Sequence, residues 1–395
     1  MDQLDQIDRK MTEIENNLIG FTRELVRIKS YSGGEKEIIE WIAEKMEMLG
    51  YDEVIIDGMG NVVGRIGSGE QIVMLDSHVD TVEVKDEEQW SVPPFSGETV
   101  DGRLYGRGSV DMKSSAAASI YAGVLARELG WDQGKTIYVS CTVLEEDCDG
   151  ENLKHLFKEL NIRPDWMIIC EPSNNLITLG HKGKAQVVIR THGISAHGSA
   201  PEKGKNAVYE MADIIKRVEN VNNKLFQKEP PRGTLVLSQI SSVSASLNAV
   251  PFECEIYLDR RMVVGETEET VKKEMADIIK GKDADWELGT LKRTSWTGLP
   301  ITYEPIHPAW KIEMDHPLTR ACQTAYEKTF GHAPEQYDYW DFSTNAVSTV
   351  SLGIPTIGFG PGEYKLAHMR DENCEVSQIV DACRFYTMLI HELQR

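Results

Sequence analysis

Positive charge is scarce: 42 lysines and arginines stand against 63 aspartates and glutamates in 395 residues, a formal net charge of −21. A surface so acidic argues against nucleic acid or anionic membrane as a partner, since both bind by having counterions displaced from them. It leaves room for bound cations to neutralise part of the charge. Cysteine is also sparse. The seven, at positions 141, 148, 170, 254, 322, 374 and 383, form no C-x-x-C pair and are odd in number, so they do not suggest a disulfide framework. No uncharged apolar run is long enough to span a bilayer. The first twenty residues, MDQLDQIDRKMTEIENNLIG, carry charge throughout and lack the apolar core of a secretory signal, so a cytoplasmic location is expected.

What is present fits a soluble two-domain protein, with 41% hydrophobic and 27% charged residues. Met11, Ile14, Leu18, Phe21, Leu25 and Ile28 follow helical spacing over residues 8–29. A second helix runs from about Glu35 to a closing Gly50. Strands are expected near 53–57, 61–66, 71–77, 136–143 and 166–170, interleaved with helices near 113–129 and 151–160, which indicates α/β architecture. After about residue 184 the pattern changes. Strands over 184–193, 234–242 and 252–261 alternate or nearly so, with helices at 205–220 and 267–280, as in a small α+β unit with one wet sheet face. The first style returns beyond about 300, with helices near 317–330, 343–352 and 377–394 and a strand over 355–359. The expected division is therefore 1–183 with 296–395 as one domain and 184–295 as an insertion, hinged near 183 and 295.

Three apolar strands end in polar groups. The run 71–82, QIVMLDSHVDTV, ends in His78 and Asp80, whose side chains project to the same side of an extended backbone. Such a pair can bind a divalent cation, or the carboxylate can orient an imidazole that binds one. Glu145 and Glu146 follow the second strand and Glu171 the third; Asp111 precedes an Ala-rich helix, and His368 lies in the closing loop. Imidazoles and carboxylates without thiolates suit hydrolytic zinc, cobalt or manganese. Two imidazoles and three carboxylates fill two incomplete coordination spheres. A bridging carboxylate would hold the ions about 3.5–4 Å apart. One member of the Glu145–Glu146 pair remains for acid–base work.

The order HVDTV, GRGSVDMK, TVLEED, CEP, AHMRDE resembles the di-zinc amidohydrolases and exopeptidases that include acetylornithine deacetylase, succinyl-diaminopimelate desuccinylase, glutamate carboxypeptidase and aminoacylase. The resemblance covers the chain from about residue 20 to the end. EEDCDG at 145–150, SWTGL at 295–299, FSTN at 342–345 and GFGPG at 358–362 resemble a deacetylase-like subgroup linked to selenium metabolism. The resemblance implies a catalytic domain with a mixed central sheet and an inserted ferredoxin-like lid and dimerisation domain. It implies that His78 and Glu171 ligate one metal, Glu146 and His368 the other, and that Asp111 bridges them. Asp80 would orient His78, and Glu145 would be the general base. It further implies a cis Asp111–Met112 peptide bond.

In the insertion, the resemblance assigns His197 to the oxyanion of a partner subunit's active site. Arg261 would grip a substrate carboxylate, although Arg260 beside it leaves open which arginine points inward. Asn248, Ser343, Thr344, Asn345 and Gly360 would line the substrate side. His155, His181, His192, His307, His316, His332 and His391 read as structural, and Cys148 has no base to make it a nucleophile. The implied activity is hydrolysis of an amide bond in an N-acyl amino acid by a homodimer, with two divalent ions, zinc foremost, and a water held between them as nucleophile. Dipeptides or carbamoyl amino acids are alternative substrates, and a non-catalytic metal-binding relative is the rival from outside enzymes.

Overall fold

The computed structural model describes residues 2–393. The helix Gln3–Arg27 opens with Asp2, whose side chain accepts from the Asp5 amide. Its stripe Ile7, Met11, Leu18 and Leu25 is fully buried. The helix Lys113–Glu128 is lined by small residues and buried from Lys113 to Ala126, as a helix packed on all sides must be.

A nine-stranded mixed sheet organises the larger core. The strand Gln71–His78 lies at its middle, parallel to Lys135–Thr142 on one side and to Trp166–Ile169 on the other. Thr356–Gly358 extends the parallel set beyond Trp166–Ile169, and on the other side Val62–Gly67 and then the edge strand Glu53–Ile56 follow antiparallel. In this register His78 is opposite Thr142 and Asp76 opposite Ile169. The segments after His78, Thr142, Ile169 and Gly358 therefore leave the sheet along one carboxyl edge, where ligands bind in open α/β sheets.

The second sheet is antiparallel, in the order Thr234–Val243, Glu253–Met262, Gly183–His192, Ala284–Leu288. Its buried face packs against the helices Ala207–Phe226 and Glu268–Ile279 to form a separate core containing Val187, Ile214, Ile256 and Met275. The chain enters directly, since Thr178–His181 belongs to the large sheet and Gly183 starts the small one. The return is less abrupt than a hinge near 295. The hairpin Leu291–Thr294 and Pro300–Tyr303 packs on the large core, Ile306–His307 pairs again with the small sheet, and Trp310–Lys311 rejoins the large one. These strands are too short to show a period in sequence.

Both crossings are tied to the segment that follows Glu145 and Glu146. Asp149 accepts from Lys184 Nζ at 2.7 Å, from Tyr303 Oη and from Ser343 Oγ at 2.5 Å. Asp147 pairs with Arg293 at 2.6 Å. Burial opposes the Asp149 charge, but the Lys184 ammonium and these donors hold its carboxyl well below the usual range. A depressed carboxyl contributes stability that is fully present above its unfolded value and is lost as pH falls through the folded one. Asp149→Asn should lower the thermal midpoint at neutral pH by the equivalent of about 3–5 kcal/mol, the cost of stranding a buried cation. The variant's midpoint should also fall less steeply than the wild type's below about pH 4. Parallel midpoint–pH curves for the two proteins would refute this account of the contact.

Candidate metal centre and substrate cavity

The carboxyl edge of the sheet brings six titratable side chains together. His78 Nε2 lies 2.9 Å from Asp111 Oδ1, 3.7 Å from Glu171 Oε1 and 4.0 Å from Glu145 Oε2. His368 Nε2 lies 3.0 Å from Glu146 Oε1 and 3.2 Å from Asp111 Oδ2. Each Asp111 oxygen thus faces a different imidazole. His78, Asp111 and Glu146 form one compact donor group, and His78, Glu145 and Glu171 another. The Asp111–Met112 peptide bond is cis, as the resemblance implies.

The electrostatics call for cations. Burial pushes the carboxyls of Glu145, Glu146 and Glu171 above the usual range, and neighbouring carboxylates raise them further. Asp111 is the exception. Burial opposes its charge too, but hydrogen bonds from His368 and His78 hold it low. Burial works against a charge on His368, yet Asp111 and Glu146 push the imidazole up to about 10. Among the described residues, no lysine or arginine forms an ion pair with any of the four carboxylates. Oxygen and imidazole donors so crowded, without a cationic side chain, fit divalent ions of the zinc, cobalt or manganese type.

Asp80 differs from expectation in detail. His78 Nδ1 donates to its backbone carbonyl at 3.0 Å, while the carboxylate stands 3.6 Å away. The carboxylate is drawn off by other donors: Oδ1 accepts from the Glu145 amide, and Oδ2 from the Glu146 amide and Ser32 Oγ. The bond to Nδ1 leaves Nε2 free to face the carboxylates.

A cavity of about 320 Å³ opens onto this cluster. Asp111, Glu145, Glu146, Glu171 and His368 form one wall; Lys184, Gln186 and Arg261, all on the second sheet, face them. Lys184 is the cross-strand partner of Arg261, and Gln186 of Asp259, which braces Arg261 at 2.8 Å. Arg260 points the other way and is buried against Glu266 and Glu274, both at 2.8 Å. Adjacent strand residues alternate in direction, which separates the two arginines. Ser343 lines the cavity, with Phe342 and Tyr364 beside it.

Four expected lining residues stand elsewhere. Thr344 is buried and caps the Ala346 amide. Asn345 donates to Asp76 and Thr142 and accepts from the Gly150 amide, so it holds the sheet edge from beneath. Gly360 is a packing residue: a Cβ there would lie 2.4 Å from the Glu171 carbonyl oxygen, so only glycine lets this loop pass under Glu171. Asn248 and His197 are together, Gly198 N donating to Asn248 O, but away from this cavity. His197 is exposed, with Nδ1 taken by Ser199.

A brace went unread in the sequence. Glu372 Oε1 accepts from the amides of Gly108, Val110 and Asp111, while Arg107 pairs with Glu372 and donates to the carbonyls of Met369 and His368. Both residues fall in the GRGSVDMK and AHMRDE segments, yet nothing in their spacing shows that they meet. A third His–carboxylate group, Asp57, His155 and Glu159, lies outside the cavity; His155 bonds Glu159, and Asp57 and Glu159 accept from the amides of the turn 58–61. Burial pushes the Cys148 thiol up to about 12, which leaves it inert.

Residues 74–392 match the peptidase family M20/M25/M40. The chain belongs to this family. It is 37% identical over 384 residues to the "uncharacterized protein YgeY" of Escherichia coli K12, covering 96% of this chain and 95% of that one. It is 30% identical over 373 residues to the acetylornithine deacetylase of Aliivibrio salmonicida, covering 92% and 93%. Solved M20-type folds superpose along nearly the whole length. The aminopeptidase PepT of Bacillus cereus gives a TM-score of 0.72 at 22% identity, covering 96% of this chain and 98% of that one. Human carnosine dipeptidase 1 gives 0.74 at 14%, covering 99% of each. The YXEP protein of Bacillus subtilis, described as a dinuclear metal binding peptidase, gives 0.68 at 14%, covering 96% and 98%. This M20 chain is thus a hydrolase with a donor cluster suited to metal, and among its described residues no helix is long and apolar enough to cross a membrane.

Proposed function

We propose that the protein is a metal-dependent hydrolase of an N-acyl amino acid. The observation that carries this reading is the opposition of Arg261 to the imidazole–carboxylate wall across one small cavity. Arg261 binds the substrate's carboxylate as a fork, which sets the neighbouring amide bond against the metal ligands. His78 and Glu171 would hold one ion, Glu146 and His368 the other, with Asp111 between them; such ions polarise a scissile carbonyl and acidify water. Glu145 takes the proton from the attacking water and delivers it to the leaving amine. Its burial favours the protonated form, which suits a group that must give the proton back. The 30% identity to an acetylornithine deacetylase supports an acyl amino acid as substrate.

The oxyanion is stabilised by His197 of the partner subunit in a homodimer. Two features support this. His197 lies outside its own chain's metal cavity. Among the described residues the strand Thr234–Val243 has a free sheet edge, and it exposes Val236, Ile240 and Val243, an apolar strand suited to pairing with a second copy.

Zinc-loaded protein should hydrolyse members of a panel of N-acetyl and N-succinyl amino acids, and a chelator should abolish the turnover. Hydrolysis of free dipeptides alone would instead make the enzyme an exopeptidase. H197A and E145Q should each lose at least about 100-fold in kcat, the scale of a lost oxyanion donor or acid–base group. Mixed and re-equilibrated, the two variants should recover activity, because one site per heterodimer is intact. Mixtures that stay as inactive as their parents would refute the shared site.

A further inference from the structure

Two residues separate the end of the strand Lys135–Thr142 from Glu145, at which the four-residue helix Glu145–Cys148 begins. The amides between them have neither a strand partner nor a preceding helical turn, so side chains must satisfy them. Four consecutive N–H groups are held this way. Val143 N donates to Asn61 Oδ1 at 3.0 Å, Leu144 N to Glu35 Oε1 at 3.1 Å, Glu145 N to Asp80 Oδ1 at 3.0 Å and Glu146 N to Asp80 Oδ2 at 3.2 Å. The acceptors come from three separate parts of the chain. The turn they hold is an unfavourable one, because Leu144 has φ 58° and ψ 25°, a left-handed conformation that leucine avoids.

Glu35 is the one carboxylate of this set that the metal-site reading does not use. It is fully buried at the start of the helix Lys36–Met48. Its Oε1 accepts from both Gly33 N, at 2.8 Å, and Leu144 N, while Oε2 has no hydrogen-bond partner. A buried carboxyl with one oxygen spent on two amides and the other on nothing has no structural ion-pair role to explain it. Burial, reinforced by Asp80, pushes its carboxyl up to about 8.

We infer that Glu35 is a positioning residue, which fixes the Leu144 turn and through it the direction of Glu145 and Glu146. It acts as a hydrogen-bond acceptor of a certain length. The inference rests on the reading of Glu146 as a metal ligand and of Glu145 as the base. It gives the two conservative substitutions opposite outcomes. Glu35→Gln keeps the length and the acceptor oxygen. Glu35→Asp keeps the carboxylate but, one methylene shorter, cannot reach Gly33 and Leu144 together.

The test is zinc binding by each holoprotein, measured by competition with a chromophoric chelator, with thermal midpoints recorded alongside. Glu35→Gln should bind two zinc ions within about threefold of the wild type, and Glu35→Asp should bind one of the two at least about tenfold more weakly, as loss of a group that orients a ligand does. On any substrate the wild type turns over, Glu35→Asp should lower kcat with KM unchanged, because Arg261 is untouched. The reverse order, or equal behaviour of the two variants, overturns the inference. A wild type that binds no zinc would overturn the metal assignment together with this inference, whereas the order of the two variants bears on Glu35 alone.

Discussion

Four carboxyl groups and two imidazoles are held within hydrogen-bonding distance or little more at the edge of a buried sheet, and in their charged forms the carboxylates repel one another unless cations lie between them. Their backbones are fixed independently of one another. His78 ends a parallel strand, Glu145 and Glu146 follow a second and Glu171 a third. Asp111 is suspended from Glu372, and the loop carrying His368 is tied to Arg107. The sheet therefore supplies the spacing, and the side chains converge because parallel strands end together.

The cost of such a site is a set of backbone groups left without regular partners, and the surrounding polar side chains answer it. Asp80, Glu35, Asn61 and Glu372 are buried and spend their oxygens on amides of the two segments that carry Asp111, Glu145 and Glu146. The same economy extends to the second sheet. Asp147 and Asp149, just after the two glutamates, hold Arg293 and Lys184, so one five-residue segment carries two carboxylates of the donor cluster and the ties to the opposite side of the cavity.

Much of this was legible in the sequence. The apolar run before His78, the change from unbroken to alternating strands near 184 and the ordered polar strand ends announce an α/β sheet with an inserted α+β unit; that the sheet is mixed follows only from the family resemblance. What the sequence withheld depends on direction and distance. Arg260 and Arg261 are equivalent until the pleat assigns one to the interior and one to the cavity. Ser343, Thr344 and Asn345 read as one lining stretch, but only Ser343 faces the cavity, because Asn345 is needed by Asp76 and the Gly150 amide below it. Lys184 and Asp149 are 35 residues apart and Arg107 and Glu372 265 apart, so no local pattern reveals either pair. In the sequence Glu35 marks only the start of a helix.

The account stands on the claim that this cluster holds two divalent ions about a shared aspartate. Crystals grown with zinc and measured at its absorption edge test it directly. The account predicts two anomalous peaks in the cavity, one bounded by His78 and Glu171, the other by Glu146 and His368, and both in contact with Asp111. A single peak, or two peaks that do not share Asp111, would contradict it.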